Sequence, residues 1–128
     1  HGGDAAVRAW GKSPETLFRH QAAGLYALVL EPSRLRWEVT ERFAVEATDT
    51  EGLLVAFLAE LWHRLETRGL VADALELRFA GDQRLEVKGV FGTVPREHIM
   101  REVKSPTYHE LRIRQEGAVF TARVVYDL

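Results

Sequence analysis

The sequence predicts an α+β domain with two helices packed on one side of a mostly antiparallel β-sheet. Two stretches, one ending before Pro32 and one before Gly69, carry apolar residues at three- and four-residue steps, as amphipathic helices do. Most other segments alternate apolar and polar residues or are rich in Val, Phe and Thr, as strands are. The order of strand, helix, strand, helix and consecutive strands favours helices gathered on one side of such a sheet.

The composition indicates one globular domain over residues 1–128. Hydrophobic residues make up 46% of the chain, enough for a core without disulfides or structural zinc. No cysteine is present, which excludes thiol catalysis and is compatible with the cytoplasmic location that we expect. The longest apolar runs are too short to span a bilayer, and no secretory signal is visible. Because the chain begins without methionine, we expect residues before His1 to be missing from it.

The overall charge argues against a protein that binds phosphate backbones non-specifically. The net charge is −2 and the pI is near 6.2. Bases nevertheless outnumber acids between residues 96 and 123, and acids dominate between residues 31 and 66. Such an asymmetry either orients a protein partner or is ordinary solvated surface.

The first half of the chain reads as strand, helix, strand and helix. Residues 5–10 form the first predicted strand. The first helix begins at Ser13-Pro14-Glu15, which supplies a serine cap, proline at the first helical position and an acid in the first turn. Residues 35–47 alternate as a half-buried strand does, and Asp49 or Thr50 caps the leucine-rich second helix.

The second half is predicted to consist of strands. Residues 74–79 and 85–90 flank a loop with turn-forming residues, and residues 108–114 and 118–126 form a hairpin. Residues 89–92 are not a phosphate-binding loop, because they lack a following Lys-Ser or Lys-Thr and open no convincing helix. Gly89 is interpreted as a strand bulge.

An aspartate lies near each end of the chain. If the first and last strands are neighbours in one sheet, Asp4, Asp127 and the terminal carboxylate of Leu128 meet at one point. Three carboxylates crowded together repel one another unless a cation lies between them, so the sequence raises the hypothesis of a hard-metal site. The alternative is that Asp4 is a turn residue and Asp127 a solvated strand end.

Catalytic motifs are not evident. The five histidines show no pairing at i and i+4, and no serine lies in a nucleophile-elbow context. His20 and His63 are expected at the surface or at its boundary. His109 lies near Glu102 and Lys104 in a polar cluster that serves either recognition or structure.

The chain resembles the archease family over essentially its whole length. Four short blocks carry the resemblance, in family order: His1-Gly2-Gly3-Asp4 with Arg8-Ala9-Trp10-Gly11, Asp49-Thr50-Glu51-Gly52-Leu53-Leu54-Val55, Glu102-Val103-Lys104-Ser105-Pro106-Thr107-Tyr108-His109, and Asp127-Leu128. Three places depart from the usual family residues, so the loop geometry there need not follow the family: Gly2-Gly3, Thr93 and Ser105-Pro106. Both aspartates are retained.

Archeases are small cofactors of RtcB-type RNA ligases, the GTP-dependent enzymes that join RNA ends during tRNA splicing and repair. The resemblance implies one archease-like domain that is not itself an enzyme and that promotes ligase guanylylation and multiple turnover. The resemblance implies no direct sequence-specific binding of nucleic acid and no association with a membrane.

The resemblance also implies site residues. Asp4, Asp127 and the Leu128 carboxylate would bind a divalent cation, Ca²⁺, Mg²⁺ or Mn²⁺, the hard ions that carboxylates favour. Lys104, Tyr108 and His109 are candidates for contact with the ligase. Alternatively their motif packs the penultimate strand, with Tyr108 in the core and Lys104 on the rim.

Two further functions stay open. A general chaperone or an adaptor for RNA-modifying proteins predicts an exposed apolar patch or a basic face. A metal-dependent hydrolase built on Asp4 and Asp127 needs an additional base or a second set of metal ligands, and the sequence offers no obvious one.

Overall fold

A computed structural model describes residues 3–128, which form two α-helices, seven strands and one 3₁₀ turn. The helices are α1 (Pro14–Val29) and α2 (Thr50–Arg68), and the turn is Arg96–His98. The strands, in chain order, are β1 (Asp4–Gly11), β2 (Arg36–Glu46), β3 (Leu70–Phe79), β4 (Arg84–Thr93), β5 (Ser105–Thr107), β6 (Arg114–Glu116) and β7 (Val119–Asp127). Within residues 3–128, neither helix is both long and apolar enough to cross a membrane.

The strands form two antiparallel sheets. In the first, β1 runs along one edge of β7, and the short strands β5 and β6 pair with the two ends of its other edge. In the second, β4 lies between β2 and β3. The predicted fold class is confirmed, with the strands divided over two sheets.

Both helices pack against both sheets. Helix α1 contacts β1 and β7 of the first sheet and β3 of the second, whereas α2 contacts β2, β3, β4 and β5. The ring of Phe18 in α1 joins these layers, because its centroid lies 5.6 Å from that of Phe57 in α2 and 5.0 Å from that of Phe79 in β3. The shared core therefore holds the two sheets in one fixed arrangement.

The helix boundaries follow from local chemistry, as the sequence predicts. The Ser13 hydroxyl accepts a hydrogen bond from the Thr16 amide at 3.1 Å, and the Asp49 carboxylate accepts one from the Gly52 amide at 2.8 Å. Asp49 is thus the cap of α2. Gly69 ends α2 in the left-handed conformation, with a φ of 66° that favours glycine.

The predicted strand 108–114 is wrong. Strand β7 pairs with β5 up to Thr107 and with β6 from Arg114, so residues 108–113 lie opposite only the three β7 residues 122–124. Six residues cannot pair in register with three, and the segment leaves the sheet. Glu110 turns it with a φ of 52°, and the Ile113 amide donates to the Glu51 carboxylate at 3.0 Å.

Gly89 is not a bulge, and strand β3 begins earlier than predicted. Gly89 stays in register with both neighbouring strands, and a Cβ atom there would lie 2.4 Å from the Phe91 ring. The bulges lie instead at Ala72/Ala74 in β3 and at Arg36/Val39 in β2. The β3 bulge breaks the two-residue alternation, which hides the start of that strand at Leu70.

Candidate functional site

Asp4 and Asp127 lie directly opposite each other where β1 and β7 meet. Asp127 pairs with Asp4 on one edge of β7 and with Ser105 of β5 on the other. The Lys104 amide donates to the Asp127 carbonyl at 2.8 Å, and the Leu128 amide donates to the Gly3 carbonyl at 3.1 Å. The backbone is therefore held on both sides of Asp127 and on through Leu128.

The two aspartate side chains share the outward face of the sheet. Tyr126, the neighbour of Asp127, is fully buried, and alternation along β7 turns Asp127 to the exposed side. Asp4 is also exposed, and residues directly opposite in an antiparallel pair have Cβ atoms about 5 Å apart. Leu128 is half-buried and packs against the core. This end of the sheet therefore brings together Asp4, Asp127 and Leu128, the three residues that the sequence analysis predicted to lie at one point.

The donor set fits a hard divalent cation. Two directly opposite carboxylates destabilise a sheet through repulsion unless a positive charge offsets it, and carboxylate oxygens are preferred ligands of Ca²⁺ and Mg²⁺. Among residues 3–128, no three His, Asp or Glu side chains lie close enough together to hold a metal ion. A site here therefore needs oxygens beyond the two side chains, such as those of Leu128 and water.

Ser105 is a residue of this site that sequence patterns did not reveal. Its position opposite Asp127 places its hydroxyl on the same exposed face. A hydroxyl there can donate a hydrogen bond to a carboxylate or offer another oxygen. The only sequence signal was its departure from the usual family residue, because the pairing of Ser105 with Asp127 depends on the register of distant strands.

Lys104 lies near the aspartates, but Tyr108 and His109 do not. Lys104 directly precedes β5 at the end that pairs with Asp127. Tyr108 and His109 follow the other end of β5, three to four residues from Ser105, which corresponds to about 10–13 Å of strand. Tyr108 is 62% exposed, so it does not fill the core. His109 lies 3.0 Å from the Glu110 carboxylate.

A groove of about 560 Å³ adjoins this end of the sheet. It runs between α2 and strands β2 and β5, and Lys104 and Ser105 lie on its wall. Apolar groups from Trp62 and Pro106 line it, together with the side chain of His63. His63 and His20 are exposed, as expected. A partner that binds in the groove would contact apolar side chains and the charged side chain of Lys104, close to the aspartates.

The chain is similar to proteins of one family. The model of the Archease protein family matches residues 1–128. Protein archease of Methanopyrus kandleri is 29% identical over an alignment that covers 100% of this chain and 95% of that protein. Protein archease of Thermococcus gammatolerans is 30% identical, with 90% of this chain and 84% of that protein covered.

Solved structures show the same fold. The solution structure of Methanobacterium thermoautotrophicum protein 1598 superposes with a TM-score of 0.74 at 25% identity, covering 98% of this chain and 92% of that one. The crystal structure of a Thermotoga maritima archease, described as a possible chaperone, has a TM-score of 0.66 at 18% identity and covers 97% and 90% of the two chains.

Proposed function

Because the chain belongs to the archease family, we propose that it is a protein cofactor of an RtcB-type RNA ligase. In this role it promotes GTP-dependent guanylylation of the ligase and multiple turnover in tRNA splicing and RNA repair, and it is not itself an enzyme. The proposed place of action is the cytoplasm. The observation that carries the proposal is the pairing of Asp4 with Asp127 at one exposed end of the first sheet.

The proposed role of this end is to present a divalent cation to the ligase. Asp4, Asp127 and the Leu128 carboxylate would hold Ca²⁺, Mg²⁺ or Mn²⁺, and Ser105 would orient the Asp127 carboxylate. When bound, the cation supplies positive charge that offsets phosphate charge. The hydrogen bonds on both sides of Asp127 support the proposal, because a ligand on a fixed backbone keeps its geometry.

The proposed contact with the ligase uses Lys104, Tyr108 and His109. All three side chains are exposed, and Lys104 also lies on the groove beside the aspartates. The ligase surface would therefore cover the aspartate end and β5 together. An exposed tyrosine is a common anchor in protein interfaces, since it buries a large area with little loss of side-chain freedom.

The test is multiple-turnover ligation of RNA by the cognate ligase with GTP and Mn²⁺. We expect the wild-type protein to raise the number of turnovers per ligase, and Asp4→Asn/Asp127→Asn to lose this effect while remaining folded. Asp73→Asn/Asp82→Asn makes the same charge change at exposed positions, one in β3 and one in the turn between β3 and β4, and should stimulate as the wild type does. Full stimulation by the Asp4/Asp127 variant would exclude the proposed cation site from the function.

A general chaperone or adaptor is the alternative, and one surface feature favours it. Trp37 and Val39 of β2 are 81% and 37% exposed. Trp37 lies within the bulge of that strand, and Val39 ends it. Neighbouring exposed apolar side chains are a feature of surfaces that bind other proteins. If the protein suppressed aggregation of an unfolded client and Trp37→Ala abolished this, without any effect of the protein on ligation, the alternative would replace the ligase role.

A further inference from the structure

The outward face of the first sheet carries a basic and aromatic patch, which we call the arginine face. It consists of Arg8 and Trp10 of β1, Arg114 of β6 and Arg123 of β7. All three arginines are exposed, and Trp10 is 59% exposed. The helices pack on the opposite, buried side of this sheet, through residues such as Ala9, Ala122 and Val124.

The sheet register arranges these side chains in two adjacent rows. Arg8 lies directly opposite Arg123. Two residues further along β7, Thr121 pairs with Trp10 on one edge and with Arg114 on the other. The rows are about 7 Å apart, given the rise per residue of a strand. One tryptophan and three guanidinium groups therefore lie close together on one surface.

The arginines of this face form no ion pair within residues 3–128. No carboxylate of that range lies within 4.0 Å of the guanidinium groups of Arg8, Arg114 or Arg123. On the second sheet, by contrast, Arg78 and Arg84 both pair with Glu86. The arginine face is therefore a local cluster of positive charge, unpaired within the described residues, on a chain of net charge −2, and it shares the outward face with Glu116 of β6 and, four residues further along β1 and β7, with Asp4 and Asp127.

The pairing of Arg8 with Arg123 does not help the fold. Like charges directly opposite each other in an antiparallel pair are destabilising. An exposed Trp10 likewise leaves a large apolar surface in water. Both features become favourable when an anionic partner with flat apolar groups lies on the face.

We propose that the arginine face binds a single-stranded nucleic acid. Arg8, Arg114 and Arg123 contact phosphates, and a base stacks on Trp10. Such a surface is insensitive to sequence, because every base has an aromatic face. An acidic protein would satisfy the arginines but has no reason to require a flat aromatic surface beside them. This proposal does not depend on the ligase role, because the nucleic acid would bind to the isolated protein without any ligase present.

The test is the binding of a fluorescein-labelled oligo(U) of about 12 nucleotides to the purified protein, followed by anisotropy at several salt concentrations. We expect saturable binding that weakens as salt rises. Arg8→Gln/Arg123→Gln should weaken binding at low salt. It should also lower the magnitude of the salt slope by about 1.4, since each lost phosphate contact on a single strand contributes about 0.7.

Trp10 separates stacking from simple charge attraction. Trp10→Ala should weaken binding roughly fivefold or more, whereas Trp10→Phe should retain most of the affinity, because phenylalanine keeps an aromatic face. An RNA duplex of the same length should bind less tightly than oligo(U), since its bases are already stacked on each other.

Matched variants separate binding at the arginine face from general attraction to a basic protein surface. Arg36→Gln/Arg42→Gln removes the same charge from exposed positions of β2, and should bind as the wild type does. The Arg8/Arg123 variant should melt at the same temperature as the wild type or higher, because the repulsion is relieved. The proposal fails if the wild type shows no saturable binding, if the β2 control loses as much affinity, or if polyglutamate displaces oligo(U) as readily as unlabelled RNA does.

Discussion

At the scale of single residues, Tyr26 shows how a side chain repairs an irregular strand. The bulge at Ala72/Ala74 interrupts the ladder between β3 and β4, and the Ala72 amide instead donates to the Tyr26 hydroxyl at 3.1 Å. Burial raises the pKa of Tyr26 to about 12, although the hydrogen bond from Ala72 acts in the opposite direction. Tyr26 thus joins α1 to the second sheet at the point where the sheet is least regular.

This environment predicts a dependence of stability on alkaline pH. Below pH 10 the Tyr26 hydroxyl is protonated in the folded and the unfolded chain. Between pH 10 and about 12 only the unfolded chain ionises, so the free energy of unfolding falls by up to about 1.4 kcal/mol per pH unit. Tyr26→Phe should lower the free energy of unfolding by about 1–3 kcal/mol at pH 8, because the Ala72 amide loses its partner. Above pH 10 the free energy of unfolding of this variant should fall less steeply with pH than that of the wild type.

Urea unfolding of wild type, Tyr26→Phe and Tyr108→Phe from pH 8 to 11.5 measures this effect. Tyr108 is exposed and serves as the matched control, so its variant should follow the wild-type curve. Burial also raises the pKa of Tyr126, which leaves part of the alkaline slope in every variant. Equal slopes for Tyr26→Phe and wild type would contradict the argument.

At the scale of elements, an arginine and glutamate cluster joins α2 to β2. The Arg64 Nε atom of α2 donates to the Glu41 carboxylate of β2 at 2.9 Å, and Arg68 also donates to that carboxylate. The Arg64 guanidinium lies over the Phe43 ring, with Cζ 4.2 Å from the centroid. Because the side chains of Glu41 and Arg64 are only 17% and 14% exposed, this pair is largely shielded from solvent screening, whereas Arg68 is 51% exposed.

The cluster predicts a loss of stability in acid. The hydrogen bonds from Arg68 and Arg64 lower the pKa of Glu41 below its ordinary value of 4.5. The contribution of the Glu41 carboxylate to the free energy of unfolding is complete above pH 4.5 and is lost as the pH falls through the lowered pKa. Glu41→Gln should therefore destabilise the protein by about 1–3 kcal/mol at pH 7 and should flatten the decline in acid.

Chemical denaturation from pH 7 to pH 3 tests this prediction. Glu86→Gln is the control, because Glu86 forms ion pairs with Arg78 and Arg84 on an exposed surface where such pairs contribute little. It should change stability much less than Glu41→Gln does. A similar effect of the two substitutions would mean that the shielding of Glu41 has no energetic consequence.

Local signals explain why the helices were predicted well from the sequence. The Ser13 and Asp49 caps and the left-handed Gly69 act within a few residues of each helix end. The excursion of residues 108–113 depends on pairing between distant strands, and Gly89 depends on where the Phe91 ring packs. Local patterns contain neither piece of information, so those two predictions were wrong.

At the scale of the whole molecule, the fold brings the two ends of the described chain together. The pairing of β1 with β7 was anticipated from two strand-like segments, and it places Asp4 opposite Asp127. Ser105 joins them only because β5 pairs with the other edge of β7. The division of the strands between two sheets was not visible in the sequence, since the same alternation suits either arrangement.

The proposed function depends on the binding of a divalent cation at this end of the first sheet. Isothermal titration of the purified protein with Mn²⁺, repeated with Ca²⁺ and Mg²⁺, measures that binding without the ligase. We expect one saturable site in the wild type, its loss in Asp4→Asn and in Asp127→Asn, and its retention in Asp73→Asn/Asp82→Asn. If a glycine is added after Leu128, the carboxylate moves away, and binding should weaken. Absence of binding in the wild type, or equal binding by all variants, would show that this end of the sheet is not a cation site.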